Sequence, residues 1–525
     1  MIPRLIHQIW HDAHLPGYAC DSWQRLNPGW SWRLWTDADL LDLVRTQYPA
    51  LEALYLSYPR NVQRADLGRY LLLHHFGGVY ADIDTQCLAS LEPLAAESRI
   101  VLCEEPMEHW HHGIALGLER LYFNGVMAGP AGHPFWAHLL RTVERCAPAR
   151  DHVLESTGPL VLTGAVLDYD RPSDLALHSC HLFTPLTSAG YETAGAEQGP
   201  LAPLRLVNHD WRGSWVPPAR SRTGLAHALK GYLRSARYHL TRGPHLTRGQ
   251  LQARLNMELL RRPVTKGGQV AVLIPVRDAA PFLDRCFELL SALDYPADQL
   301  SVTFCEGDSR DDTLARLKTL CDRHAGRFRQ IGVTQLSGGP ELNRAQRWWP
   351  SLQRARRGHL ARVRNHLIDH GLTAADDWAL WLDADVCDYD PGILRRLLSE
   401  RRKVVTPDCR LEPEGTSYDL NAFTDPGERR DLRYYKHVHR GLYMPPARHG
   451  YRKHLHDLRF LHRVPLSSVG GTMLLVDADV HRSGLRFPDL PYEDLLETEG
   501  FGRSCRDFGV TPVGLPNVVI RHVAS

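Results

Sequence analysis

The sequence predicts an α/β protein of two units in tandem, each a mixed, mostly parallel sheet covered by helices, joined by a basic helical linker. Three observations predict it. Strand-like apolar runs alternate with helix-period segments over residues 1–215 and again over 269–525. The intervening stretch, 216–268, has a different composition and a strong positive charge. A chain of 525 residues also exceeds one ordinary core, since domains run to roughly 100–200 residues each.

In chain order, Ile2 to Trp10 (IPRLIHQIW) reads as a strand and Trp32 to Thr36 as a second. Asn61 to Phe76 has helical periodicity ended by Gly77, and Gly78 to Asp84 (GVYADID) reads as a buried strand running to its carboxyl end. Asp66 and Arg69, three apart, share a face of that helix. From Pro217 to Gly268 there are eleven Lys or Arg against the single acid Glu258, a net of +10, which leaves the rest of the chain at −8. Within it Leu225, Leu229, Tyr232, Leu233, Ala236 and Leu240 recur at helical spacing, with Lys230, Arg234 and Arg237 elsewhere on the wheel. Such a helix either packs on one domain with its Arg solvated or docks peripherally on an anionic membrane or lipid-linked acceptor. In the second unit Gln269–Val276, Leu300–Glu306 and Trp378–Leu382 read as strands, separated by helices at Ala280–Leu293, Asp312–His324 and Arg354–His370.

Composition narrows the class. Apolar runs such as Tyr70–Leu73 and Met473–Val476 fall far below a bilayer span. A net charge of +2 gives no field suited to nucleic acid. Eleven cysteines without a CxxC pair suggest buried, reduced thiols rather than a zinc knuckle or a disulfide framework. Residues Met1 to Trp10 carry one Arg and no apolar core of a signal peptide, so a cytoplasmic protein is expected, with the inner face of the cell membrane as a peripheral location.

Each unit ends a buried strand in two acids: Asp82 and Asp84 in the first, Asp383 and Asp385 (DWALWLDADV) in the second. On a strand these alternate residues point to one side. Two carboxylates roughly 4 Å apart repel by about 4 kcal/mol at an effective dielectric near 20, so a divalent cation is expected between them. A nucleotide is expected at the carboxyl ends of such strands. The Asp82–Thr85 string also fits the DxDx[TV] opening of aspartyl-phosphate phosphatases, but those need a downstream Lys and none precedes Lys230.

Residues 64–88, RADLGRYLLLHHFGGVYADIDTQCL, resemble the sugar-binding DxD region of glycosyltransferase family 32, and are similar to clostridial glucosylating toxins. The likeness extends to IPRLIHQIW, to Asn124-Gly125, to Thr157-Gly158-Pro159 and to HDWRGSW at His209–Trp215. It implies a GT-A fold, Rossmann-like, with retention of anomeric configuration and Mn²⁺ or Mg²⁺. By that resemblance Trp10 stacks on the base, and Asp66 and Arg69, with Asn124, hold the donor sugar and ribose. Asp82 faces the sugar and ribose, Asp84 and His209 the metal, and the loop reaching Trp215 closes over the diphosphate.

The second unit resembles glycosyltransferase family 62, the fungal mannan polymerase subunits. The matching pieces are LIPVRDAAPFLDRCFELLSALDYP, RRGHLARVRNHL, DWALWLDADV, YDLNAF, GGTMLLVDADVHRSGLRFP and the closing stretch Glu497–His522. That resemblance implies a GT-A fold, GDP-mannose as donor, a second Mn²⁺, and retaining transfer to an α-mannoside. Asp383 then meets ribose and sugar, and Asp385 and His522 the metal. Arg357 or Arg364 contacts the diphosphate, while Pro275, Arg277, Glu306 and Asp308 line the nucleoside side. Glu497 or Glu499 meets acceptor or donor hydroxyls. Together the two likenesses imply a bifunctional enzyme building a capsule, exopolysaccharide or lipopolysaccharide from GDP-mannose and a UDP- or GDP-hexose. The alternatives are one active domain beside a binding-only one, or an effector that glycosylates host protein.

Overall fold

A computed structural model describes residues 1–186 except 18, 20 and 115, then 201, 204–212, 225–341, 349–425, 434–446 and 452–524. The chain divides into two compact units, Met1–Arg220 with Asp457–His462, and Ser221–His456 with Arg463–Ser525. Each holds one mixed parallel and antiparallel sheet, an arrangement consistent with tandem GT-A-like folds.

In the first unit the strands are β1 (Leu5–Ile9), β2 (Ser31–Trp35), β3 (Gly78–Ala81), β4 (Thr85–Cys87), β5 (Ile100–Glu104), β6 (Tyr122–Gly129), β7 (Leu175–His178) and β8 (Val207–His209). The main sheet runs β2-β1-β3-β6-β5-β7. Strand β1 is parallel to both neighbours, whereas β6 enters antiparallel to β3 and β5. Ile6, Val79, Ala81, Val101, Val126 and Ala128, all buried, belong to one apolar cluster on this sheet. Helix α1 (Asn61–Phe76) ends where the Gly77 N–H bonds to Leu73 O. Gly78 follows at φ 95°, and a Cβ there would lie 2.3 Å from Leu5 O, so only glycine lets β3 close against β1.

The expectation of a strand reaching Asp84 is corrected. β3 stops at Ala81, and Asp82 to Asp84 form a turn closed by Thr85 N–H to Asp82 O at 3.2 Å. Ile83 gave the segment an apolar centre that mimics a strand interior, but the ladder ends where the Asp82 N–H reaches Gly125 O at 2.8 Å.

The second unit has β9 (Val270–Val276), β10 (Leu300–Glu306), β11 (Gln330–Gln335), β12 (Trp378–Leu382), β13 (Val386–Tyr389), β14 (Val404–Arg410), β15 (Met473–Asp477) and β16 (Val513–His522). Their order is β11-β10-β9-β12-β15-β14-β16-β13, with the short Val464–Pro465 also on β16. The first four are parallel, so the carboxyl ends of β9, β10 and β12 reach one edge together. β15 then runs antiparallel to both β12 and β14. The sheet is therefore more mixed than the alternating pattern predicts. An antiparallel neighbour needs no helix of its own, and the period of apolar residues does not record strand direction. Phe287 stacks on Phe304 at 5.2 Å in the core. Ten free cysteines are described, eight of them buried.

Candidate functional site

A cavity of about 910 Å³ opens in the first unit where β1 and β3 end, and Trp10, Asp66, Arg69, Asp82, Asp84 and His209 are among its lining residues. Helix α1 supplies Asp66 and Arg69. The Arg69 guanidinium lies 3.0 Å from Asp66 Oδ1 and 3.2 Å from Asp82 Oδ1, and donates to Asn124 O at 2.9 Å. Asn124 Nδ2 and Thr157 Oγ1 both donate to Asp66, at 3.0 and 2.9 Å. Burial raises the Asp66 carboxyl to about 6, against the pull of Arg69. A buried cation bridging two acids fixes the position of each.

The third group arrives by strand pairing. β4 and β8 form a short antiparallel ladder with Thr85 opposite His209, which sets the imidazole beside the Asp82–Asp84 turn. His209 Nε2 lies 3.2 Å from Asp84 Oδ1 and 3.7 Å from Asp82 Oδ2, and the Trp211 backbone nitrogen lies 2.9 Å from His209 Nδ1, which fixes the orientation of the ring. Burial alone would depress this imidazole, but the two carboxylates outweigh it and raise it to about 9. One ligand atom from each of Asp82, Asp84 and His209 lies within 4.8 Å of the others. Two carboxylate oxygens and one imidazole nitrogen make a donor set suited to Mn²⁺ or Mg²⁺, so the residues present fit the expected ion.

Sequence reasoning missed several residues here. Tyr80 donates to Asp82 Oδ1 at 2.7 Å, the Arg212 N–H reaches Asp84 Oδ2 at 3.2 Å, and the Trp211 ring packs 4.4 Å from both His109 and His209. Tyr80 stands two residues before Asp82 and Trp211 lies inside HDWRGSW, so the signal for both was adjacent to motifs already marked. Trp215 lies outside the described residues. Trp10 is half-buried at the cavity wall rather than in the core.

In the second unit Asp383 and Asp385 follow β12 in a turn at the edge shared with β9 and β10. Helices α2 (Pro350–Gly371) and α3 (Glu497–Asp507) bring opposite charges to it. Arg364 lies 3.3 Å from Asp383 Oδ1 and 3.0 Å from Glu497 Oε1, and Arg357 bonds Glu499 Oε2 at 2.5 Å. Burial raises the Asp383 carboxyl, with Arg364 opposing and Asp385 adding to the rise. His522, opposite Val386 on the β13–β16 ladder, places Nε2 3.0 Å from Asp385 Oδ1 and stacks on Tyr418 at 4.2 Å.

At the same edge Pro275 pairs with Cys305 across the β9–β10 ladder, and Glu306 accepts from Ser309 N–H and Gln335 Nε2 at 3.0 and 2.9 Å. Asp308 accepts from the Gly338 and Gly339 N–H groups at 3.1 and 2.7 Å, and Arg277 is partly exposed nearby with Nη1 3.5 Å from Pro340 O. Glu306 and Asp308 thus order their own loops. Among the described residues only Asp82, Asp84 and His209 form a group of three candidate metal ligands. Asp385 and His522, the ligands expected for a second ion, lie together without a third candidate ligand grouped with them among the described residues, and the Asp383 carboxylate is turned to Arg364.

Residues 254–491 match the family model Anp1, and residues 16–101 match that of the glycosyltransferase sugar-binding region containing DXD motif. The mannan polymerase complex subunit mnn9 of Schizosaccharomyces pombe is 30% identical over 285 residues, covering 50% of this chain and 81% of that protein. Inositol phosphoceramide mannosyltransferase 3 of the same yeast is 35% identical over 169 residues, covering 31% of this chain; the chain spans only 44% of that protein. A solved mannosyltransferase from Pyrobaculum calidifontis, in complex with GDP-Man and Mn²⁺, is 13% identical at a TM-score of 0.28, covering 57% of this chain and 69% of that one. Asp66, Arg69, Asp82, Asp84, Asp383 and Asp385 fall within the family matches, and Asn124, His209, Glu497, Glu499 and His522 fall beyond them.

Proposed function

The chain belongs to the Anp1 family through residues 254–491, and from that premise we propose a bifunctional, retaining glycosyltransferase that builds a surface polysaccharide or glycoconjugate. The enzyme class itself is secure: this is a metal-associated glycosyltransferase with a DXD region ahead of a mannosyltransferase-like one. In the proposal the second unit transfers α-mannose from GDP-mannose, and the first transfers a hexose from a UDP- or GDP-sugar. The observation that carries it is the Asp82, Asp84 and His209 cluster at the mouth of a cavity large enough for a nucleotide sugar.

Attack of an acceptor hydroxyl on the anomeric carbon loads negative charge onto the departing diphosphate. A Mn²⁺ or Mg²⁺ ion held by Asp82, Asp84 and His209 would supply fixed positive charge there. Arg69 keeps Asp82 aimed at the cavity, and Asp66 in turn keeps Arg69 in place. In the second unit Arg364 and Arg357, oriented by Glu497 and Glu499, would serve the diphosphate, and Asp385 with His522 would hold an ion. Donor-side roles for Trp10, Asn124, Pro275, Arg277, Glu306 and Asp308 belong to the same reading.

A second reading has its own support. Among the described residues the ligand group is complete only in the first unit, and in this reading the second unit serves as a binding module on a growing glycan. Nucleotide release from a panel of UDP- and GDP-sugars, run with wild type, Asp84→Ala and Asp385→Ala, separates the two. Bifunctional transfer requires each variant to lose one product by about 10²- to 10³-fold, as when a charge-stabilising group is removed, while keeping the other. Normal turnover by Asp385→Ala favours the binding module. Normal turnover by Asp84→Ala removes the assignment of the first unit.

A further inference from the structure

The helix Leu225–Thr241 carries its apolar stripe on the outside. Leu229, Tyr232, Leu233 and Leu240 are 61%, 66%, 62% and 86% exposed, and Ala236 between them is exposed too. The helix is held to its unit by another face. Tyr238 is buried and its hydroxyl donates to Asp494 Oδ1 at 2.7 Å, its ring lies 5.1 Å from Tyr435, and Gly231 is also buried. Successive residues advance by about 100°, so the five apolar positions fill an arc of about 100° centred roughly opposite Tyr238. A helix packed as an ordinary linker would bury that arc.

We propose that Leu225–Thr241 is a membrane-surface helix, seating its leucine stripe in an anionic bilayer with Lys230, Arg234 and Arg237 at the headgroups. The charge argues for this occupant. The three cations fall together on the flank beside the stripe, at least two of them exposed, within a segment of net +10 in a chain of net +2. A second copy of the chain would set this positive helix against itself, whereas anionic headgroups neutralise it. Apolar insertion and headgroup attraction act together in such helices, and each is weak without the other. No described helix is long and apolar enough to cross a membrane, so the contact is one of lying in the interface. The inference is independent of which sugars the two units transfer.

Sedimentation of the full chain with vesicles tests it, using phosphatidylcholine alone and phosphatidylcholine with roughly one quarter phosphatidylglycerol at low salt. Wild type is expected to pellet with the anionic vesicles and stay in solution with the neutral ones. The combined Leu229→Ser, Leu233→Ser and Leu240→Ser variant, and separately the Lys230→Gln, Arg234→Gln and Arg237→Gln variant, are each expected to weaken binding by at least about 10-fold. An unchanged unfolding midpoint confirms that both variants are folded. Wild type left in the supernatant with anionic vesicles overturns the proposal, as does a leucine variant that pellets like wild type. A lipid-free dimer that the leucine variant dissociates also overturns it, because a second copy then covers the stripe.

Discussion

The Trp35 indole N–H donates to His7 Nδ1 at 3.0 Å, and the other nitrogen of that ring, Nε2, meets Gly77 O at 2.8 Å. An indole can only donate and a carbonyl only accept, so His7 is neutral with its proton on Nε2. The second unit repeats the relay: Trp381 donates to His481 Nε2 at 3.1 Å, and His481 Nδ1 donates to Leu485 O at 3.0 Å.

Acid should therefore weaken both sheets. Burial depresses each imidazole from 6.5 to about 4, the backbone carbonyl opposing it. Between those values the unfolded chain binds a proton that the folded one does not, so stability rises with pH through the window and is lost as pH falls from 6.5 through 4. Each site contributes about 3 kcal/mol at neutral pH. Unfolding midpoints measured from pH 7 to 4.5 should drop steeply for wild type, and His7→Gln should flatten the decline of the first unit.

Removing the imidazole of the ion cluster should be read directly as metal affinity. His209→Ala leaves the two carboxylates 3.2 and 3.7 Å from an empty position. Mn²⁺ binding followed by electron paramagnetic resonance should weaken by at least about 10-fold, since loss of an outer partner alone costs 10- to 100-fold. Unaltered affinity would remove His209 from the ligand set.

Arg364 joins Glu497 and Asp383 with its side chain 2% exposed. Arg364→Met removes the guanidinium beside Asp383 and leaves Glu497 with Arg357 alone, 3.7 Å away, and should destabilise the second unit by about 3–5 kcal/mol in urea unfolding. Adding Asp383→Asn should recover part of that loss. If the double variant is no more stable than the single, the pair does not carry the cost.

Gly78→Ala forces a Cβ to within 2.3 Å of Leu5 O at a φ of 95°. The strain and the clash together should cost at least about 2 kcal/mol. An unfolding midpoint equal to wild type would mean that β3 can move off β1.

Much of this was legible in the sequence, for physical reasons that differ by element. Helix Asn61–Phe76 and strands Leu300–Glu306 and Trp378–Leu382 appear at the residues the pattern indicates, because the helix is long and ends at Gly77, and each strand is a nearly wholly buried run that ends at an acid. The acid pair at Asp82 and Asp84 was found, but by an argument from strand alternation that the turn replaces. Trp211 was invisible because its role arises from contacts made only after β4 meets β8, whereas Tyr80 bonds Asp82 from within the GVYADID string itself. The pairing of Arg357 with Glu499, 142 residues apart, has no local trace. In the basic segment the spacing of leucines revealed the amphipathic helix, yet only Tyr238 reveals which side faces the protein.

The Thr85–His209 ladder has a consequence for assembly. Every strand of the first main sheet has left the ribosome by His178, about thirty residues before the imidazole that completes the cluster. A nascent chain can thus close its scaffold while still unable to grip an ion tightly. The ligand group is then complete only once β8 zips onto β4, the last strand pairing of the unit to become possible.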